Sequence, residues 1–164
     1  MSVTSDMFYD LRSDYFATRD AYLKAEAEAC AAGKLVKLGR KQVLRDIKVF
    51  SQGGVPLISF AHYAHLAKIA GQKLAAMERA YQLLKAYYKN HIDGGNVDGD
   101  LEKMWRKYRQ LQADRESYRR TLCDAQEKNR NTPDPMLKDV IRSCRSVIAE
   151  MDRQLEAMCP GATH

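Results

Sequence analysis

The sequence predicts an all-α fold: an elongated bundle of long heptad-patterned helices that ends in an antiparallel helical hairpin. Three observations predict it. Apolar residues recur at alternating steps of three and four along most of the chain, the period of one helix face. Only 4 prolines and 9 glycines punctuate 164 residues, too few for a turn-rich all-β chain. That punctuation is concentrated in a few short stretches between the periodic segments.

The first helix is predicted from about Ser5 to Ala32. Phe8, Leu11, Tyr15, Tyr22, Ala25 and Ala29 share one face, and Asp6 and Asp10 suit the positive end of the dipole. Gly33 is expected to end it as the residue after the cap. Residues 34–50 carry two readings. Val43, Leu44, Ile47 and Phe50 fit a short amphipathic helix from about Arg40 to Phe50. The alternative is a two-stranded ribbon of Leu35–Leu38 against Gln42–Leu44.

Gln52-Gly53-Gly54-Val55-Pro56 is the clearest break, and Pro56 suits the first turn of a third helix reaching about Ile92. Its seam is Leu66, Ala70, Leu74, Met77, Tyr81, Leu84 and Tyr88. After the polar turn Asp93–Asp100, a fourth helix is predicted to about Asn129, with Met104, Tyr108, Leu111, Arg115, Tyr118, Leu122 and Ala125 on its seam. Thr132-Pro133-Asp134-Pro135 breaks it. The fifth helix, Pro135–Met158, carries Leu137, Ile141, Cys144, Ile148, Met151, Leu155 and Met158. Sustained alternation of this kind is the pattern of coiled-coil packing. The chain reads as a single domain, 1–164, with sub-parts 5–50, 56–92 and 100–158.

The short link between the last two helices favours an antiparallel pair. Facing positions then share a constant sum. Asp114 with Arg153, Arg115 with Asp152, Lys128 with Asp139, and Cys123 with Cys144 all share the value 267, centred on the Thr132–Pro135 turn. The two thiols are expected to be reduced neighbours that pack and do not react.

Several classes of function find no support. No basic leader precedes an apolar run, and no stretch of about 20 apolar residues exists, so neither a signal peptide nor a membrane span is expected. The four cysteines show no C-x-x-C spacing, which favours reduced thiols and a cytoplasmic setting. His62 and His65 lie one turn apart, but His91 is far along the same helix, so no zinc set assembles. Asp93–Asp100 departs from a calcium loop at its first and twelfth positions. No phosphate-loop, dinucleotide or nucleophile-elbow motif occurs, so no enzyme, metal or cofactor is expected.

The basic segments are the usable signal. The chain holds 27 Lys+Arg against 21 Asp+Glu, a formal charge of +6. Lys34, Lys37, Arg40, Lys41, Arg45 and Lys48 face a single acid, Asp46, within 15 residues. Lys103, Arg106, Lys107 and Arg109 form a second cluster around Trp105 and Tyr108, continued by Arg119 and Arg120. The first 32 residues hold three bases and six acids, so an acidic first helix could neutralise the first segment internally. Otherwise the six cations of the first segment, with Lys103, Arg106, Lys107 and Arg109, are the expected partner-binding residues. The expected function is a non-enzymatic assembly, adaptor or structural protein working through helical protein interfaces, by self-association or with a protein partner. The alternative is a nucleic-acid-binding protein using 34–48 and 103–120, with Trp105 and Tyr108 stacking on bases.

Overall fold

The computed structural model describes residues 3–92 and 96–159, with side chains from residue 7 onward. Five helices follow one another: α1 (Val3–Leu35), α2 (Arg40–Ser51), α3 (Ala61–His91), α4 (Val97–Asn131) and α5 (Pro135–Met158). No strand occurs among the described residues, so the ribbon alternative for 34–44 gives way to helix and turn. The helices gather into two compact units, Met1–Gly95 and Asn96–His164.

In the first unit α3 packs on both α1 and α2. The α1–α3 register can be read from aromatic contacts. Phe8 meets Tyr88 at 5.6 Å edge-on, Tyr15 meets Tyr81 at 5.7 Å, and a Cβ at Gly33 would lie 3.4 Å from the Tyr63 ring. Each pair of positions adds to 96, so α1 and α3 run antiparallel. One end of this pair is aromatic, with Phe16 and Leu84 fully buried. The other is built of small residues: Ala25, Ala29 and Ala32 on α1, Ala67 and Ala70 on α3, closed by Val43, Ile47 and Tyr63. Small side chains at the contact let the helix axes approach closely.

Two glycines sit where helices touch. At Gly33 an added Cβ would meet Val43 Cγ2 at 2.7 Å, and at Gly71 it would meet Phe50 Cβ at 2.5 Å. This corrects the expected end of α1. Gly33 is helical and serves contact, while the left-handed cap residue is Lys37, at φ 61°. Leu38 N–H donates to Gly33 O at 2.8 Å and Lys37 N–H to Lys34 O at 3.1 Å, the paired bonds of a Schellman ending. A second correction concerns Pro56. It does not open α3; residues 54–60 are irregular, and the helix begins at Ala61 after an extended Phe60. Val55 and Leu57 stand exposed there and Ile58 alone packs on the core cluster, so burial does little to hold a helical turn in this stretch.

In the second unit α4 packs on α5. Asn96, not Asp100, caps α4, accepting the Gly99 N–H at 3.1 Å. Residues 93–95 of the polar turn, which the sequence sets apart from a calcium loop, lie outside the described residues. Asp134 caps α5 with Pro135 in its first turn, and the helix bounds are those the sequence predicts. Every predicted seam residue of α5 is buried or half-buried. The α4 seam fares less well, since Tyr118 is 39% exposed.

Only one of the three expected charge pairs forms: Arg115 with Asp152. Asp114 instead accepts from Gln110 at 2.7 Å, Arg153 pairs with Glu150 at 2.6 Å, and Asp139 with Arg142 at 3.6 Å. Partners three or four residues away on the same helix are already in place, so capturing them orders less chain than reaching across to another helix. All four cysteines are free. Cys144 and Cys159 are buried and Cys30 is half-buried, but Cys123 is exposed and does not serve as packing.

Candidate functional site

The basic segment 34–48 is shaped by the amphipathicity of α2. Val43 and Ile47 are fully buried on its inner face, which turns Lys41, Arg45 and Lys48 outward at steps of four and three. Lys34 and Lys37 flank them on the α1 ending, and all six cations are exposed. Arg40 pairs with Glu26 of α1 at 3.0 Å, and Lys48 pairs with Glu78 of α3 at 2.6 Å. Internal neutralisation by α1 therefore reaches Arg40. Lys34, Lys37, Lys41 and Arg45 have no carboxylate partner among the described residues.

The segment's single acid does not offset them at the surface. Asp46 is 5% exposed and points inward. Its Oδ2 accepts the Tyr63 hydroxyl at 2.6 Å and its Oδ1 accepts the Gln42 amide at 2.9 Å. Burial, followed by the bond to Asp46 and its charge, holds the Tyr63 phenol well above the ordinary tyrosine range. Burial and Glu26 do the same to Tyr22. Burial and the Glu26 charge also raise the Cys30 thiol, against a smaller lowering by Arg40, which keeps it a poor nucleophile.

These shifts have a pH consequence. A raised phenol pKa means the folded chain keeps a proton that the unfolded chain loses near pH 10. The associated stability is intact below that pH and is lost as the pH climbs from there through the folded values. Urea midpoints are expected to hold to about pH 9.5 and fall beyond about pH 10. The fall should be shallower in Tyr63→Phe; identical profiles for the two proteins would contradict the assignment.

The second cluster, Lys103, Arg106, Lys107 and Arg109, is exposed on α4. Arg106 pairs with Glu102 at 3.5 Å, and Arg109 lies 5.7 Å over the Trp105 ring. Trp105 is 5% exposed and Tyr108 2%, their rings 5.6 Å apart. Neither ring is presented for stacking on a base, which corrects that expectation. Arg119 and Arg120 are exposed, the latter paired with Glu116 at 3.3 Å. The two basic segments fall in different units. His62, His65 and His91 are exposed, and no group of three potential metal ligands occurs among the described residues. No described helix is long and apolar enough to cross a membrane.

A further basic site was not anticipated from the sequence. An open groove of about 630 Å³ between α4 and α5 is lined by Arg130, Lys138, Arg142 and Arg145, with Gln126, Asn129 and Ile141. The signal was present: Lys138, Arg142 and Arg145 step by four and three along one face, and the value 267 sets Gln126 opposite Ile141 and Asn129 opposite Lys138. Cations spread over two helices do not register as a local charge run. A second groove, of about 930 Å³, lies on α2 and α3 and includes the Lys48–Glu78 pair.

No family model matches this chain, and no curated protein or solved structure matches it.

Proposed function

We propose that this chain is a non-enzymatic assembly protein that acts through helical surfaces, with a second copy of itself as the first partner. One observation carries the reading. The first unit exposes two unlike charge sets: Lys34, Lys37, Lys41 and Arg45, and, on α1, Asp10, Asp14 and Glu28, with no ion-pair partner for either set among the described residues. Unlike patches on one body favour a head-to-tail contact, which closes into rings or runs on as filaments. Charge complementarity supplies register and encounter rate more than affinity. Leu35, 84% exposed beside Lys34, adds apolar area to the same surface.

The same reading takes α4 and α5 as an antiparallel heptad hairpin in the register of the Arg115–Asp152 pair, supported by the withdrawal of the whole α5 seam from solvent. Nucleic-acid binding is the second reading. The burial of Trp105 takes stacking away from the 103–120 cluster, and the α4–α5 groove is the observation that favours it.

Light scattering tests the assembly. The molar mass of the full chain should rise with concentration at about 0.05 M salt and fall towards the monomer at about 0.5 M, as screening predicts. A Lys41→Glu, Arg45→Glu double variant should remain monomeric with unchanged helicity, and mixing it with an Asp10→Lys, Asp14→Lys variant should restore the larger mass. A monomer mass independent of concentration at low salt defeats the proposal.

A further inference from the structure

We infer that the groove between α4 and α5 is a contact site for the phosphate backbone of duplex nucleic acid, read without regard to base sequence. The inference deepens the nucleic-acid reading and does not depend on self-assembly, because the groove lies within the second unit and shares no residue with the charge sets of the first.

The first ground is charge. Four cations line the groove and no carboxylate does. Arg130, Lys138 and Arg145 have no ion-pair partner among the described residues. Arg142 pairs with Asp139 only at 3.6 Å, with the two side chains 82% and 75% exposed, so solvent screens the pair and leaves Arg142 available.

The second ground is the distribution of charge along α5. Lys138, Arg142 and Arg145 all occupy its first half, while three of its four acids, Glu150, Asp152 and Glu156, occupy the second. Asp152 serves folding through Arg115 of α4, whereas none of the three cations pairs with α4 among the described residues.

The third ground is spacing. Lys138 to Arg145 spans seven residues on one face, a rise of about 10 Å. Measured along the duplex axis, that covers roughly three phosphates of one strand, at a rise of about 3.4 Å each. Arg130 meets the backbone from the opposite wall. Asn129 spends its Oδ1 on the Asp134 N–H at 3.1 Å, which leaves its amide nitrogen to donate to a phosphate oxygen. No aromatic ring lines the groove, so it lacks the stacking platform that single strands require. Contacts of this kind position a protein on nucleic acid and carry no sequence information.

Fluorescence anisotropy with a short mixed-sequence DNA duplex tests the site in the full chain. Up to four phosphate contacts give a slope of log affinity on log salt of about −3.6, or about a hundredfold loss between roughly 0.05 M and 0.2 M salt. Arg142→Gln with Arg145→Gln should flatten the slope by about 1.8 and weaken binding at least tenfold at the lower salt. Arg142→Lys with Arg145→Lys should keep the slope, and Lys41→Gln with Arg45→Gln in the first unit should bind as the parent does. Circular dichroism confirms that each variant is folded. Absence of salt-sensitive binding overturns the inference. So does an unchanged slope in the glutamine variant, an equal loss from the first-unit variant, or tighter binding to the single strand of the same sequence.

Discussion

Tyr63→Ala is expected to destabilise the first unit by about 4–5 kcal/mol, enough to bring a domain of ordinary stability close to unfolding. Tyr63 is 1% exposed and lies in the cluster where α1, α2 and α3 meet. Truncation removes the ring, in the range of about 3–5 kcal/mol for a large buried aromatic. It also strips Asp46 Oδ2 of its hydroxyl donor, leaving a buried carboxylate with the Gln42 amide. Tyr63→Phe separates the two losses. It keeps the ring and removes the donor, for an expected cost of about 1.5–3 kcal/mol, the range for a bond to a charged group. Urea unfolding followed by circular dichroism measures both. A phenylalanine variant as stable as the parent would show that the bond to Asp46 contributes nothing. An alanine variant no worse than the phenylalanine one would deny the ring its place in the core.

Gly71→Ala is expected to destabilise by about 2 kcal/mol, although helix propensity alone favours alanine by about 1 kcal/mol. Packing decides the sign. The new Cβ would stand 2.5 Å from Phe50 Cβ and 3.0 Å from both Ile47 O and Ser51 N. Two of those obstacles are backbone and the third is a Cβ, so no side-chain rotation relieves them and α2 must move off α3. Overpacking of this kind costs about 1–3 kcal/mol, occasionally more. Gly39→Ala is the matched control, since nothing lies within 4 Å of its Cβ. Equal midpoints for the Gly71 and Gly39 variants in thermal unfolding would show that the α2–α3 crossing is looser than described.

The helices themselves were legible. The bounds of α5, the start of α2 and the breaks near 52–56 and 132–134 follow from apolar period, proline and capping residues, all of which act within a turn or two of chain. Where local signals misled, a long-range contact had taken the residue for another use. Gly33 reads as a helix stop because glycine is the usual left-handed cap, yet its lack of a side chain serves Val43, and Lys37 takes the cap. Asp46 reads as a counter-charge for its neighbours, yet the Tyr63 hydroxyl draws it inward.

By itself, then, the sequence determined the all-α class, the order and approximate ends of four long helices, and an excess of positive charge, and left 34–44 open between helix and strand. The pairing of α1 with α3, the choice of charge partners and the gathering of Arg130 with Lys138, Arg142 and Arg145 were decided only in the tertiary structure. The physical reason is one of range. Periodicity states which face of a helix is buried, since that follows from 3.6 residues per turn. It does not state against what. That depends on which surfaces approach closely enough to fill space, and in the first unit alanines and glycines, the residues with the weakest periodic signal, set the approach.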